Sequence, residues 1–216
     1  GLADLGTAGL VDTGDPASDF DAVAANLSRP ELDPDILISC IDTFCDGWMA
    51  SLRRVGWSPR ALIVTVCPGS DFFEAAVGTD REYVLGVNPW VPTLQATDGA
   101  VGWTAPEFAS LFHAFSGLHA TYHAAAAAAQ VSLAVQAITR ADSLETAELS
   151  RVLSAANATN NPFRTLYGEV TFTDIGQADL KVLGTQYDAE GTLRVVAPTS
   201  KADMEVVYPL PTWANR

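Results

Sequence analysis

The stretch that decides the fold is DILISCIDTFCDGWMASLRRVGWSPRALIVTVC, residues 35–67. It begins with a continuous apolar run, Asp35–Ile41, and ends with another, Ala61–Cys67. Such runs are typical of strands that a parallel sheet buries on both faces. The residues between them predict a helix over about Cys45–Val55, ended by Gly56, because glycine adopts the left-handed conformation that closes many helices. Residues 35–67 are therefore predicted to form a strand–helix–strand unit.

The same rhythm continues on both sides of this unit. Upstream, Leu5–Val11 reads as a short buried strand and Asp19–Leu27 as a helix. Downstream, Phe72–Val77 reads as a short helical or loop segment and Tyr83–Val87 as a further strand. Short helical connections between strands indicate a doubly wound parallel α/β sheet with right-handed crossovers. Ligands of such sheets bind beyond the carboxyl ends of the strands.

After Trp90 the sequence becomes helical. Thr104–Glu107 (TAPE) predicts a helix start with a capping box, because Thr and Glu stand three residues apart around a proline. The longest helical run is Ala120–Ile138 (ATYHAAAAAAQVSLAVQAI), which is rich in the best helix-forming residue. Polar residues interrupt it too often for a membrane span, so it is expected to press against a sheet or another helix. Asp142–Glu145 predicts a second capping box and a third helix to about Ala156.

The tail of the chain reads as strands. Gly168–Thr173, Lys181–Tyr187 and Thr192–Ala197 are each bounded by turn residues. Polar and apolar residues alternate along them, which indicates strands with one solvated face.

Composition excludes several functions. The chain has 216 residues, of which 48% are hydrophobic, and its net charge is −14. This length suits one large domain or two small ones. A strongly acidic chain without a basic cluster is a poor partner for nucleic acid or for anionic membrane surfaces.

No pattern of catalytic residues stands out. Asp12-Thr13-Gly14 spells the triplet of aspartic proteases, but that chemistry needs two such carboxylates and the triplet occurs once. His119 and His123 have the spacing of two metal ligands on a helix, yet a third ligand is not evident. Glycine-rich phosphate loops and a nucleophile elbow are absent. The sequence therefore predicts a protein that is not an enzyme and needs no cofactor or metal.

Three cysteines allow at most one internal disulfide. Cys45 and Cys67 are expected near the carboxyl ends of adjacent strands, so they are the favoured pair if the protein is extracellular. Pairing requires their Cα atoms to lie within about 7 Å. Cys40 is expected to lie inside its strand and to be buried. Two triplets, starting at Asn26 and Asn157, are acceptor patterns for N-glycosylation and favour a secreted or surface setting.

Several segments resemble a known family in their order and spacing. The chain resembles the C-terminal part of type I periplasmic-binding-protein domains, the branched-chain amino-acid-binding proteins and their receptor relatives, over nearly its whole length. The matching segments are Leu52–Trp57, Tyr122–Ala126, Gln136–Ile138, Ala141–Leu144, Gly168–Gly176, Gln186–Gly191, Val195–Pro198 and Val207–Trp213.

The resemblance implies a fold with two lobes. Residues 1–90 would form the parallel α/β lobe II, and residues 91–165 would be helices that pack on lobe I. Residues 166–216 would be a β-rich segment that crosses the hinge. Family members carry the core strands of lobe I before the position of Leu5, so the sheet that should cover the alanine-rich helix is expected to lie outside this chain. Residues 104–160 are then expected to expose an apolar face, and residues 5–88 to form a self-contained core.

The resemblance also implies a function, namely a non-catalytic module of a surface receptor or an ABC-type uptake system that binds an amino-acid-like or small polar solute. The ligand would lie between the lobes, and the residues facing it would be Asp42, Thr43, Phe44, Thr65 and Cys67 on lobe II and Tyr122 and His123 on the other lobe. The implied partners are this small molecule, the N-terminal part of lobe I in the same protein or a separate chain, and a membrane-anchored parent or transporter subunits. The implied location is extracellular, cell-surface or periplasmic. The alternative is a structural or assembly protein that keeps the fold without binding a ligand.

Overall fold

The fold is mixed α/β. The computed structural model describes residues 15–41, 43–156 and 161–216. The α-helices in these ranges are α1 (Pro16–Leu27), α2 (Cys45–Val55), α3 (Asp71–Val77), α4 (Ala105–Ser116), α5 (Tyr122–Ala141) and α6 (Thr146–Ser154). The strands are β1 (Ile36–Ser39), β2 (Ala61–Val64), β3 (Leu85–Asn88), β4 (Phe163–Thr165), β5 (Gly168–Val170), β6 (Leu183–Tyr187) and β7 (Leu193–Ala197).

The chain forms two compact units. Unit 1 comprises the chain up to Asn88 together with Gly184–Arg216, and unit 2 comprises Pro89–Leu183. Unit 1 holds a five-stranded sheet in the order β1-β2-β3-β6-β7. Strands β1, β2 and β3 are parallel, whereas β6 and β7 pair antiparallel. The predicted alternation of parallel strands and helices is thus present from β1 to β3.

One face of the parallel strands is covered by helices. Side chains of Leu62, Val64 and Val84 on that face belong to a buried cluster with residues of α1, α2 and α3. Helix α2 supplies Trp48, Met49 and Leu52, α1 supplies Phe20 and Ala24, and α3 supplies Phe73. The Trp48 indole also donates a 2.7 Å hydrogen bond to the Ser39 hydroxyl on the same face.

Two helix boundaries follow from local signals in the sequence. Helix α2 ends at Gly56, whose φ of 75° is the left-handed conformation that the sequence required there. Helix α4 begins with the predicted capping box, in which Thr104 and Glu107 each bond the backbone N–H of the other. The Thr104 N–H and hydroxyl both donate to the Glu107 carboxylate, which lowers the pKa of Glu107. Both boundaries depend on residues within one turn of the helix end, so the sequence predicts them well.

The alanine-rich helix α5 packs along one side in unit 2. Its Ala137 joins Ala156, Phe163 and Val170 in a small buried cluster, which is flanked by side chains of α6. The Gln136 amide donates a 2.7 Å hydrogen bond to the carbonyl of Arg164 in β4.

Another side of α5 is open. Val131 is 67% exposed, and Val135 and Ile138 are exposed as well. In α4, Phe115 is 94% exposed. The expectation that residues 104–160 present an open apolar face is confirmed for the part of this range that the structure describes.

Three expectations are corrected by the structure. Cys40 follows β1 and is exposed, because β1 ends the observed strand order and its Ile38 is 58% exposed. The self-contained core expected for residues 5–88 is wrong, because Tyr187, Leu210 and Trp213 of the C-terminal segment belong to the same buried cluster. Asp142 does not cap α6. It ends α5 in a left-handed conformation, because α5 continues to Ala141, and α6 starts after Glu145 without a side-chain cap.

Candidate functional site at the carboxyl ends of the parallel strands

The ends of β1 and β2 are tied together by a threonine. Ser39 and Val64 are partners in the parallel register, so Thr65 is the first residue beyond β2. The Thr65 N–H and hydroxyl both donate to the Ser39 carbonyl, at 3.1 and 3.3 Å. The Thr65 side chain is half-buried. It thus places a hydroxyl at the edge where ligands of parallel sheets bind.

A disulfide joins the next two elements. Cys45, the first residue of α2, is bonded to Cys67, and their Cα atoms are 6.5 Å apart. The predicted pairing is therefore confirmed. Both cysteines are buried, so the bond acts as a link between the start of α2 and the segment after β2. As half of a disulfide, Cys67 has no thiol with which to act as a nucleophile.

Phe44 stands just before this disulfide in an unusual conformation. Its φ is 59° and its ψ is 25°, which is the left-handed region that residues with a side chain seldom occupy. The residue is nevertheless 57% exposed. A large side chain held in this conformation is strained, and such residues concentrate at binding and catalytic sites. Thr43, the preceding residue, is also exposed, so the loop presents an aromatic ring and a hydroxyl together.

The loop after Cys67 is held by a tyrosine distant in the sequence. The Gly69 N–H donates to the Tyr187 hydroxyl at 2.7 Å, and this hydroxyl donates to a Glu74 carboxylate oxygen at 3.1 Å. The Arg81 guanidinium lies 5.7 Å from the centre of the Tyr187 ring. Burial, followed by the nearby Glu74 charge, raises the pKa of Tyr187. Sequence reasoning missed Tyr187, because no local pattern links residues 118 positions apart.

The end of β3 is closed by a buried polar pair. The Asn88 side-chain amide donates a 2.8 Å hydrogen bond to the Thr185 hydroxyl, and both residues are buried. The pair therefore joins β3 to β6 and presents little surface to a ligand.

Tyr122 and His123 belong to unit 2. They start α5, after Thr121, whose hydroxyl accepts the Ala124 N–H. The two rings lie 4.0 Å apart between centroids, and His123 is exposed. The Tyr167 hydroxyl donates to the Tyr122 carbonyl, and burial together with Tyr122 raises the pKa of Tyr167 to about 12.

The structure thus brings Thr43, Phe44, Thr65 and Cys67 to one edge of unit 1. Asp42, the acid expected there, and the triplet Asp12-Thr13-Gly14 lie outside the described residues. Among the residues that are described, no group of three acidic, histidine or cysteine side chains could hold a metal ion. None of the described helices is both long enough and apolar enough to cross a membrane.

Solved structures share this fold. The branched-chain amino acid substrate-binding protein LivJ of Streptococcus pneumoniae, solved with isoleucine, matches 91% of this chain and 50% of its own, with 14% identity and a TM-score of 0.64. The leucine-binding protein LivK of Thermotoga maritima matches 85% of this chain and 48% of its own, with 15% identity and a TM-score of 0.61. A leucine-, isoleucine-, valine-, threonine- and alanine-binding protein of Brucella ovis matches 89% of this chain and 50% of its own, with 12% identity and a TM-score of 0.63.

These likenesses confirm the predicted fold, which is the type I periplasmic-binding-protein-like α/β fold. The chain spans about half the length of the structures that it matches. No protein-family model matches the sequence.

Proposed function

We propose that this chain is a non-catalytic ligand-binding module of a surface receptor or an ABC-type uptake system. The observation that carries the proposal is Phe44, an exposed aromatic residue in a left-handed conformation, next to a disulfide and at the carboxyl edge of the parallel strands. The fold supports the proposal, because the structures that share it are described as amino-acid-binding proteins.

The proposed ligand is an amino acid or a similar small polar solute. Thr43 and Thr65 supply hydroxyl groups and Phe44 supplies an apolar wall, which together suit a small molecule with a polar end and an apolar end. Asp42 would meet an ammonium group. Cys67 would act through the loop that its disulfide fixes.

The partner proposed for unit 2 is the N-terminal part of lobe I, in the same protein or in a separate chain. Val131, Val135 and Ile138 support it, because soluble proteins rarely leave a continuous apolar surface of several hundred Å² in water. The proposed location is extracellular, cell-surface or periplasmic. The Cys45–Cys67 disulfide supports it, because disulfides persist in oxidising compartments. Asn26, in α1, is the described candidate for glycosylation.

The test is ligand binding by the complete protein and by two matched variants. We expect leucine, isoleucine or a related amino acid to raise the melting temperature, and calorimetry to give a dissociation constant. Phe44→Ala should weaken binding by about tenfold or more, which is the loss of roughly 1.4 kcal/mol. Phe115→Ala, which removes an exposed ring from α4, should leave binding unchanged.

Two outcomes would count against the proposal. If the Phe44→Ala variant and the wild-type protein bind the ligand with equal affinity, Phe44 does not contact the ligand. Absence of binding across amino acids, amides and small carboxylates would favour the alternative function, a structural or assembly protein. The open apolar surface on α5 favours that alternative, since an assembly protein needs such a contact surface.

A further inference from the structure

The histidines of this chain lie close together in the sequence, and the structure pairs two of them. His113 is in the last turn of α4, His119 lies between α4 and α5, and His123 is in the first turn of α5. The rings of His113 and His119 are 5.2 Å apart between centroids and nearly parallel, with an interplanar angle of 15°. The sequence pointed to His119 and His123 instead, because residues four positions apart on a helix can share a metal ion.

The turn after α4 brings these two rings together. Helix α4 ends at Gly117, whose φ of 75° is the left-handed conformation, and the Gly117 N–H donates a 2.8 Å hydrogen bond to the His113 carbonyl. The Leu118 N–H donates to the Ser116 hydroxyl at 3.1 Å. The chain therefore reverses just after the helix and returns His119 to the end of α4.

A hydrogen bond assigns the tautomer of His113. The His113 Nδ1 atom lies 3.2 Å from the Leu118 carbonyl oxygen. A carbonyl oxygen can accept a hydrogen bond but cannot donate one, so Nδ1 carries the proton and Nε2 of the neutral ring keeps its lone pair. Metal-binding histidines have this arrangement, because one ring nitrogen donates to a carbonyl or carboxylate while the other binds the metal. His113 thus presents Nε2 as a ligand atom.

The separation of the two rings fits two ligands of one metal ion. In a tetrahedral zinc site each imidazole nitrogen lies about 2.0–2.1 Å from the metal, which places the centres of two ligand rings about 5 Å apart. The rings of His113 and His119 already have this separation, at 5.2 Å. Both residues are exposed, and the torsion that turns a histidine ring is soft, so both lone pairs can turn toward a common point without a change in the backbone.

The charge of the chain also suits a cation at this pair. The net charge is −14, which raises the concentration of cations near the protein. The sequence has no lysine or arginine from Phe108 to Thr139, so no basic side chain of this segment repels a bound ion. Imidazole nitrogens favour zinc, nickel and copper ions, whereas magnesium and calcium ions favour oxygen ligands. The pair should therefore select a transition-metal ion.

We propose that His113 and His119 form a surface site for a divalent transition-metal ion. His113 binds through Nε2, His119 supplies the second imidazole, and water fills the remaining positions. The ion ties the last turn of α4 to the residues before α5, so its binding stabilises the turn between these helices. His123 lies outside the site, because its ring packs on the Tyr122 ring at 4.0 Å between centroids. The site belongs to unit 2, and its metal binding does not depend on the amino-acid binding proposed above.

The test is the binding of Zn²⁺ by the complete protein, measured by titration calorimetry without a histidine tag. All variants carry Cys40→Ser, because Cys40 is an exposed thiol and thiolates also bind zinc. His113→Ala and His119→Ala each remove one ligand, and His123→Ala is the matched control. All three histidines are exposed, so the substitutions should leave the fold intact, which circular dichroism checks. Zinc sites elsewhere in the protein are the same in all variants, so the differences between variants report on this site.

We expect His113→Ala and His119→Ala each to weaken zinc binding at this site by about tenfold or more, because the loss of a mere outer-shell partner already costs 10–100-fold in metal affinity. His123→Ala should bind zinc as tightly as the Cys40→Ser protein. Equal zinc binding by the Cys40→Ser protein and the His113→Ala variant would overturn the proposal and leave the two rings as a packing contact. Weaker binding in His123→Ala but not in His113→Ala would also overturn it, in favour of a site formed by His119 and His123.

Discussion

Helices α2 and α5 bury very different shares of their residues. Helix α2 has 11 residues and buries five of them, namely Cys45, Trp48, Met49, Ser51 and Leu52. Helix α5 has 20 residues and buries only three, namely Ala125, Ser132 and Ala137. Helix α2 lies against both the sheet and α1, whereas α5 leaves a row of apolar residues open to solvent. What a helix buries therefore depends on which partners are present in the chain, and not on its own length or apolar content.

The largest effect should separate these two helices directly. Leu52→Ala removes a fully buried side chain from α2, and we expect it to lower the free energy of unfolding of unit 1 by about 2–5 kcal/mol. Val131→Ala removes an exposed side chain from α5 and should change stability by less than about 0.5 kcal/mol. Both changes in the free energy of unfolding are measured on the 216-residue chain, by urea unfolding at low protein concentration with tryptophan fluorescence and by hydrogen exchange. A large loss for Val131→Ala would mean that α5 is covered.

The disulfide at the start of α2 should have the next largest effect. It links residues 22 positions apart, so its removal in the Cys45→Ala/Cys67→Ala variant should cost about 3 kcal/mol through the entropy of the unfolded chain. Cys40→Ser should cost nothing measurable, because Cys40 is exposed and unbonded. Equal denaturant midpoints for the wild-type and doubly substituted proteins would show that the disulfide adds nothing to the stability that the packing of α2 provides.

A smaller, pH-dependent effect is expected at the start of α5. The folded state raises the pKa of Tyr167 to about 12, from about 10 in the unfolded chain, so the folded state binds this proton more tightly. The resulting stability is present below about pH 10 and is lost as the pH rises from 10 through 12. Tyr167→Phe should therefore make the decline in the free energy of unfolding over this pH range shallower. Identical pH profiles for the wild-type protein and Tyr167→Phe would contradict this assignment.

The same contrast shows what the sequence can and cannot predict. The bounds of α2, the capping box of α4 and the Cys45–Cys67 pair depend on residues close in the chain or on the order of strands, and all three were predicted correctly. The exposure of Cys40 was not predicted, because it depends on the position of β1 at the end of the observed strand order, and no local pattern in the sequence encodes that position. The support of the Gly69 loop by Tyr187 was missed for the same reason. For the candidate site, the rule that ligands bind beyond the carboxyl ends of parallel strands predicted Thr65 and Phe44 at one edge. The left-handed backbone of Phe44 could be seen only in the structure.

The central claim is the proposal that the open apolar surface of α5, formed by Val131, Val135 and Ile138, is a contact surface for the N-terminal part of lobe I. The most direct measurement is light scattering after size-exclusion chromatography over a range of concentrations, combined with the fluorescence of an apolar dye. We expect the 216-residue chain to self-associate and to bind the dye strongly, and co-expression with the remaining half of the fold to give a monodisperse species with weak dye binding. A monodisperse 216-residue monomer that binds little dye and unfolds cooperatively would contradict the claim.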